Sequence, residues 1–90
     1  MNPFPNATIS GTAIVLAPGH FNPDRAKTAF GLVRGSERFQ VLAVIDSKTA
    51  GQDAGDIVDN KKRDIPVFGS VNQALEKLEL RPQYAVIGIT

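Results

Sequence analysis

The stretch TAIVLAPGHFNPDRAKT, Thr12 to Thr28, decides the fold. Ala13-Ile14-Val15-Leu16-Ala17 is an unbroken apolar run, not an alternation. Such a run predicts a strand over residues 12–17 buried on both faces, as in a parallel sheet with helices above and below. Pro18-Gly19 ends the strand. Asn22 can then cap a helix, with Pro23 in its first position and Asp24 complementing its positive end. Ala26, Ala29, Phe30 and Val33 step at i, i+3, i+4 and i+7, one face of that helix. Gly35 is the expected left-handed residue past its end. Gly31 inside the helix costs up to ~1 kcal/mol relative to alanine and suggests close approach to the sheet.

Outward from this unit the pattern repeats. Gln40 to Ile45 is a second nearly continuous apolar run, closed by Asp46. The polar stretch Ser47 to Arg63 is long for a simple connection and holds one short helix near Ala54 to Val58. Ile65-Pro66-Val67-Phe68 predicts a short third strand, confined by Pro66 to a sheet edge or to pairing beyond the proline. Ser70 with Gln73 fits the capping box of a helix whose inward face is Val71, Ala74, Leu75 and Leu78. Arg81-Pro82 ends it, and Tyr84 to Ile89 predicts a fourth strand. Strands alternating with helices predict an α/β fold with right-handed crossovers. The expected architecture is a Rossmann-like three-layer sandwich, its parallel four-stranded sheet ordered 3-2-1-4 with the change of winding beside the first strand. Residues 1–11, with two prolines and two asparagines, read as an irregular lead-in in which Phe4 tucks against the core, and residues 12–90 as the domain.

Composition excludes several function classes. Ten Lys and Arg against nine Asp and Glu leave a net charge of +1, without the basic excess of a nucleic-acid binder. Lys61-Lys62-Arg63 lies between Asp59 and Asp64 and reads as a solvated loop. The absence of cysteine removes disulfides, thiol catalysis and cysteine-bound zinc, and a single histidine, His20, removes a histidine-rich metal centre. No apolar run approaches the ~20 residues that cross a bilayer, and the N-terminus lacks the regions of a signal peptide. The cytoplasm is the expected location. Ninety residues make one small domain. The hydrophobic strand at its end suggests the first lobe of a longer protein.

Ligands of such sheets lie at the carboxyl ends of the strands, where Pro18 to Thr28, Asp46 to Gly55, Gly69-Ser70 and Gly88 to Thr90 meet. A dinucleotide fingerprint needs three glycines, and only Gly19 is present. A Walker A loop ends in Gly-Lys-Ser or Gly-Lys-Thr. Here Lys27-Thr28 follows alanine, at a spacing two residues too long. What remains is a helix start carrying Lys27 and Thr28, able to meet phosphate or to stand as plain surface. Asp46, at the end of the second strand, occupies the place of a ribose-binding acid but lies beyond the usual ~20 residues after the glycine turn. It reads equally well as the cap of the Ser47-Lys48-Thr49 turn. Gly51 and Gly55 give the second loop freedom to approach a ligand or turn tightly. Asp53 and Asp56 lack a third partner for a metal. The candidate cofactor contacts are therefore Gly19, Lys27, Thr28, Asp46, Ser47, Gly51 and Gly55. The cofactor is unknown, with a nucleotide or CoA as the expected class. No catalytic residue and no metal is assigned, because no nucleophile-base pair exists.

The combination AIVLAPGHFNPDRAKTAFGLVR, VLAVIDSKTAGQDAG, IPVFGSVNQAL and AVIGIT resembles the N-terminal Rossmann-like domain of a bacterial and archaeal family that includes D-glutamate N-acetyltransferases. A looser likeness, resting on Ile65-Pro66-Val67-Phe68 and the following Ser-Val helix start, is to the CoA-binding domain of succinyl-CoA ligase α-subunits, whose glycine-rich first loop is missing here. The first resemblance implies a C-terminal P-loop domain of the same polypeptide as partner. It also implies that any acyl transfer or nucleotide hydrolysis needs residues outside this chain. Beyond that domain, a small anionic ligand and a homo-oligomer are the expected partners. The rival expectation is a structural or oligomerisation lobe that binds no small molecule.

Overall fold

The computed structural model describes residues 11–89. Their elements run β1 (Gly11–Leu16), α1 (Lys27–Arg34), β2 (Phe39–Ile45), α2 (Ala54–Asp59), β3 (Val67–Phe68), α3 (Val71–Lys77) and β4 (Tyr84–Ile87). The four strands form one sheet of order β3-β2-β1-β4, and every neighbouring pair is parallel. This is the expected Rossmann-like α/β sheet, with the winding reversing between β1 and β4. The lead-in with Phe4 lies outside the described residues, except that Gly11 already belongs to β1.

The two faces of β1 are both buried. Val15 and Ala17 join Phe21, Ala29, Phe30 and Val33 in a core under α1 and α2. Ile14, with Ala43 and Ile45, packs beneath Ala74 of α3 on the other face. A fully buried valine or isoleucine contributes about 1.5–3 kcal/mol, so consecutive apolar residues fix the strand's place at the centre of the sheet. Leu42 is an extra residue in β2, bulging between Ala13 paired to Val41 and Ile14 paired to Ala43. The continuous apolar run hides this slip, because either register buries hydrophobic side chains.

The first helix begins later than its capping residues predict. Asn22 Oδ1 accepts from the N–H groups of Asp24 at 3.1 Å and Arg25 at 3.0 Å, and Ala26 N–H donates to the Asn22 carbonyl. Asn22 thus caps one isolated turn. Ala26 then leaves helical geometry, at φ −123° and ψ 43°, and α1 starts at Lys27 without a side-chain cap. Packing sets that start. Phe21 folds back beneath the turn to meet the Phe30 ring edge-on at 5.2 Å, and Ala29 N–H donates to the Gly88 carbonyl at 3.1 Å. The predicted inward face, Ala26, Ala29, Phe30 and Val33, is buried throughout. Gly35, however, is extended (φ 160°), not left-handed. Gly31 faces open space rather than the sheet.

Gly88 is the glycine that permits close approach. A Cβ there would stand 2.7 Å from both Ala29 Cβ and Val15 Cγ1, so only hydrogen lets the end of β4 meet α1. At the opposite end of the sheet, Gly11 lies under the Tyr84 ring, which meets Phe39 edge-on at 5.4 Å.

Helix α3 corrects a second expectation. Ser70 Oγ accepts from Gln73 N–H at 3.2 Å as predicted, while the Gln73 side chain accepts from Gly69 N–H. Of the predicted inward face, Ala74 is buried and Leu78 half-buried, but Val71 and Leu75 are exposed. The helix packs over β2 and β3, and no other described element packs on the same face of β4. The edge expectation for Pro66 holds, while its carbonyl still accepts from Val44 N–H of β2 at 3.0 Å. β3 is an edge strand of two residues, and it starts immediately after the proline.

Candidate functional site at the strand ends

The carboxyl ends of β1 and β2 are tied together by one side chain. Asp46 leaves β2 with its N–H donating to the Phe68 carbonyl of β3, and the residue is only 1% exposed. Its Oδ1 accepts from Gly19 N–H at 2.7 Å and from Lys48 N–H at 3.4 Å. Its Oδ2 accepts the Thr49 hydroxyl at 2.6 Å. A carboxylate that accepts several N–H and O–H groups is a strong, charge-assisted staple. Gly19 reaches it by adopting φ +77°, a backbone state that glycine enters without the penalty of a Cβ.

Of the two sequence readings of Asp46, the structure displays the turn cap. Asp46 caps the Ser47-Lys48-Thr49 turn, and it also holds the first loop against the second. Its three contacts occupy all but about one of a carboxylate's roughly four acceptor positions. Gly19 N–H is committed to Asp46 and does not point toward a ligand.

Lys27 and Thr28 stand exposed in the first turn of α1. Ala29 N–H is taken by Gly88, and Gly88 N–H in turn donates to the Leu16 carbonyl at 2.8 Å. This chain of bonds seats the positive end of α1 at the carboxyl ends of β1 and β4. His20 is exposed, its N–H donating to the Ala17 carbonyl. Ser47 is exposed beside Asp46. Gly19, Asp46 and Ser47 thus belong to the loops that leave β1 and β2, and Lys27 and Thr28 to the start of α1.

Gly51 and Gly55 lie away from that group. Gly51, at φ +92°, donates its N–H to the Val67 carbonyl and turns the second loop along the β3 edge. There it borders a cleft of about 480 Å³ lined also by Phe68, Gln73 and Lys77. Gly55 is buried within α2. A Cβ on it would come within 2.1 Å of the Lys61 carbonyl oxygen, so its smallness serves packing rather than loop freedom.

Asp53 has a role that spacing alone did not indicate. It caps α2 through Asp56 N–H at 3.3 Å and accepts from Arg63 N–H at 3.0 Å and Ile65 N–H at 2.8 Å. Burial works to raise its pKa, but the N–H groups of Arg63, Ile65 and Asp56 outweigh it and hold the carboxyl below its ordinary value. The side-chain hydrogen bond from Arg63 likewise holds Asp59 low. Among the described residues no group of three or more His, Cys, Asp or Glu comes together, and no helix is long and apolar enough to cross a membrane.

Comparison with known proteins agrees with this fold. No curated protein matches the chain. A crystal structure of a DUF1611 family protein from Anabaena variabilis ATCC 29413 superposes with a TM-score of 0.72 at 34% identity, covering 88% of this chain and 21% of that one. The chain thus spans about a fifth of the length of that protein. Residues 47–90 match the model of a domain of unknown function, DUF1611_N, described as a Rossmann-like domain. The chain is a Rossmann-like domain, similar over its second half to DUF1611_N and over most of its length to part of a DUF1611 family protein.

Proposed function

We propose that this chain is the N-terminal Rossmann-like lobe of a longer DUF1611-family protein, and that it contributes one wall of a site for a nucleotide- or CoA-type anion. The larger enzyme would resemble the D-glutamate N-acetyltransferase family, with a C-terminal P-loop domain of the same polypeptide supplying the chemistry. The observation that carries this reading is the Asp46 staple. It organises the β1 and β2 loops before any ligand arrives, at the strand ends where doubly wound sheets bind ligands. The Lys27 ammonium and the N–H groups of Lys27 and Thr28 at the start of α1 would meet phosphate. The acceptor position left on Asp46 would meet a hydroxyl such as that of ribose.

Titration calorimetry of the 90-residue chain with ATP and with acetyl-CoA tests this. Saturable binding by one of them, weakened about fivefold to tenfold by Lys27→Ala, is expected, since an exposed charge contact contributes on the order of 1 kcal/mol. Absence of heat with both ligands at millimolar concentration would leave the rival reading, a lobe that binds no small molecule. One observation favours that rival: the apolar surface left open on α3 and β4.

A further inference from the structure

We infer that β4 is built as an interior strand, and that its open edge takes a parallel strand, with that strand's crossover helix covering Ile87, from the same polypeptide in a protein of the length of the Anabaena relative. This rests on the reading of the chain as a lobe of such a protein.

The two edges of the sheet are treated differently. At the β3 edge, the second loop closes the strand: Gly51 N–H donates to the Val67 carbonyl at 2.9 Å, and Val67 N–H donates to the Gln52 carbonyl at 3.0 Å. Proline precedes that strand, and only two residues pair. These are the ordinary defences of a sheet edge. Among the described residues, the β4 edge has none of them. Its four residues, Tyr84-Ala85-Val86-Ile87, carry no charge and no proline. Gly88 N–H bonds to the Leu16 carbonyl, so the alternation of a parallel strand turns the N–H and C=O groups of Ala85 and Ile87 away from β1.

The face beside that edge is apolar. Ile87 pairs with Leu16 on the α3 side of the sheet and is 69% exposed. Leu75 of α3 is 43% exposed. A sheet winding outward from β1 through β4 places its next crossover helix on this face, opposite α1 and α2, because parallel connections are right-handed. That helix would cover Ile87 and flank Leu75. About four-fifths of the Anabaena protein lies outside the matched region, which is ample chain for a strand and a helix. A second copy of this chain meets the same edge only by pairing β4 with itself, antiparallel, across a two-fold axis.

Hydrogen–deuterium exchange on the 90-residue chain and on the Anabaena protein, with sedimentation of the 90-residue chain, separates the occupants. The expected result is a monomer whose Ala85 and Ile87 amides exchange at least about tenfold faster than those of β1, while the aligned strand of the longer protein is protected like its central strands. Fast exchange at that strand in the longer protein overturns the inference. So does a 90-residue dimer with the Ala85 and Ile87 amides protected that Ile87→Lys returns to monomer. Either failure leaves the ATP and acetyl-CoA titration unaffected, so loss of this inference is distinct from loss of the ligand reading.

Discussion

Asp46 is buried, and its three donors come from two different loops. Replacing it with alanine strands the Gly19 N–H and the Thr49 hydroxyl in a partly buried setting. Leaving such donors unpaired costs roughly 1–3 kcal/mol, and we expect Asp46→Ala to lower unfolding free energy by about 2 kcal/mol in urea titrations. Asp46→Asn keeps one acceptor oxygen and is expected to lose about half as much. An alanine variant as stable as the parent would remove the staple from the account. The sequence made Asp46 visible as an acid at a strand end, but not its partners. Gly19 reaches it only because the first loop doubles back, held by Phe21 in the core, and nothing in the spacing of Phe21 distinguishes a loop anchor from an exposed ring.

At the scale of elements, the strands and the apolar faces of the helices were legible because burial imposes a period. Helix starts were legible only where a side chain decides them. Ser70 caps α3 as its spacing predicts, whereas α1 begins at Lys27 because Ala26, Ala29 and Gly88 must pack together. Asp53 shows the same limit. It precedes a helix and caps it, yet its bonds to Arg63 and Ile65 join residues ten and twelve positions away. Those bonds make a pH prediction. The Asp53 pKa is lowered from 3.8, so its stabilising contribution is fully present above that value and is lost as pH falls through the lower, folded value. Asp53→Asn is expected to cost about 1 kcal/mol at neutral pH and to flatten the decline of stability between about pH 5 and about pH 2. An unchanged acid limb in guanidinium or thermal melts would contradict this.

For the whole molecule, the sheet order follows from the alternation of elements and from the central position of the most apolar strand. The unevenness of its two faces does not. Val71 and Leu75 carry the spacing of a buried face, but α3 lies over β2 and β3 and cannot cover them. The sequence pattern thus records a surface meant to be buried, not the element that buries it. The proposed ligand site is the place where the first and second loops meet, joined by Asp46. The most direct measurement is an amide chemical-shift titration of the 90-residue chain with ATP and acetyl-CoA. The account predicts that the Gly19, Lys27, Thr28 and Asp46–Thr49 amides move together with one binding constant, while Gly55 in α2 stays still. Shifts confined to α3 and β4, or none at all, would contradict it.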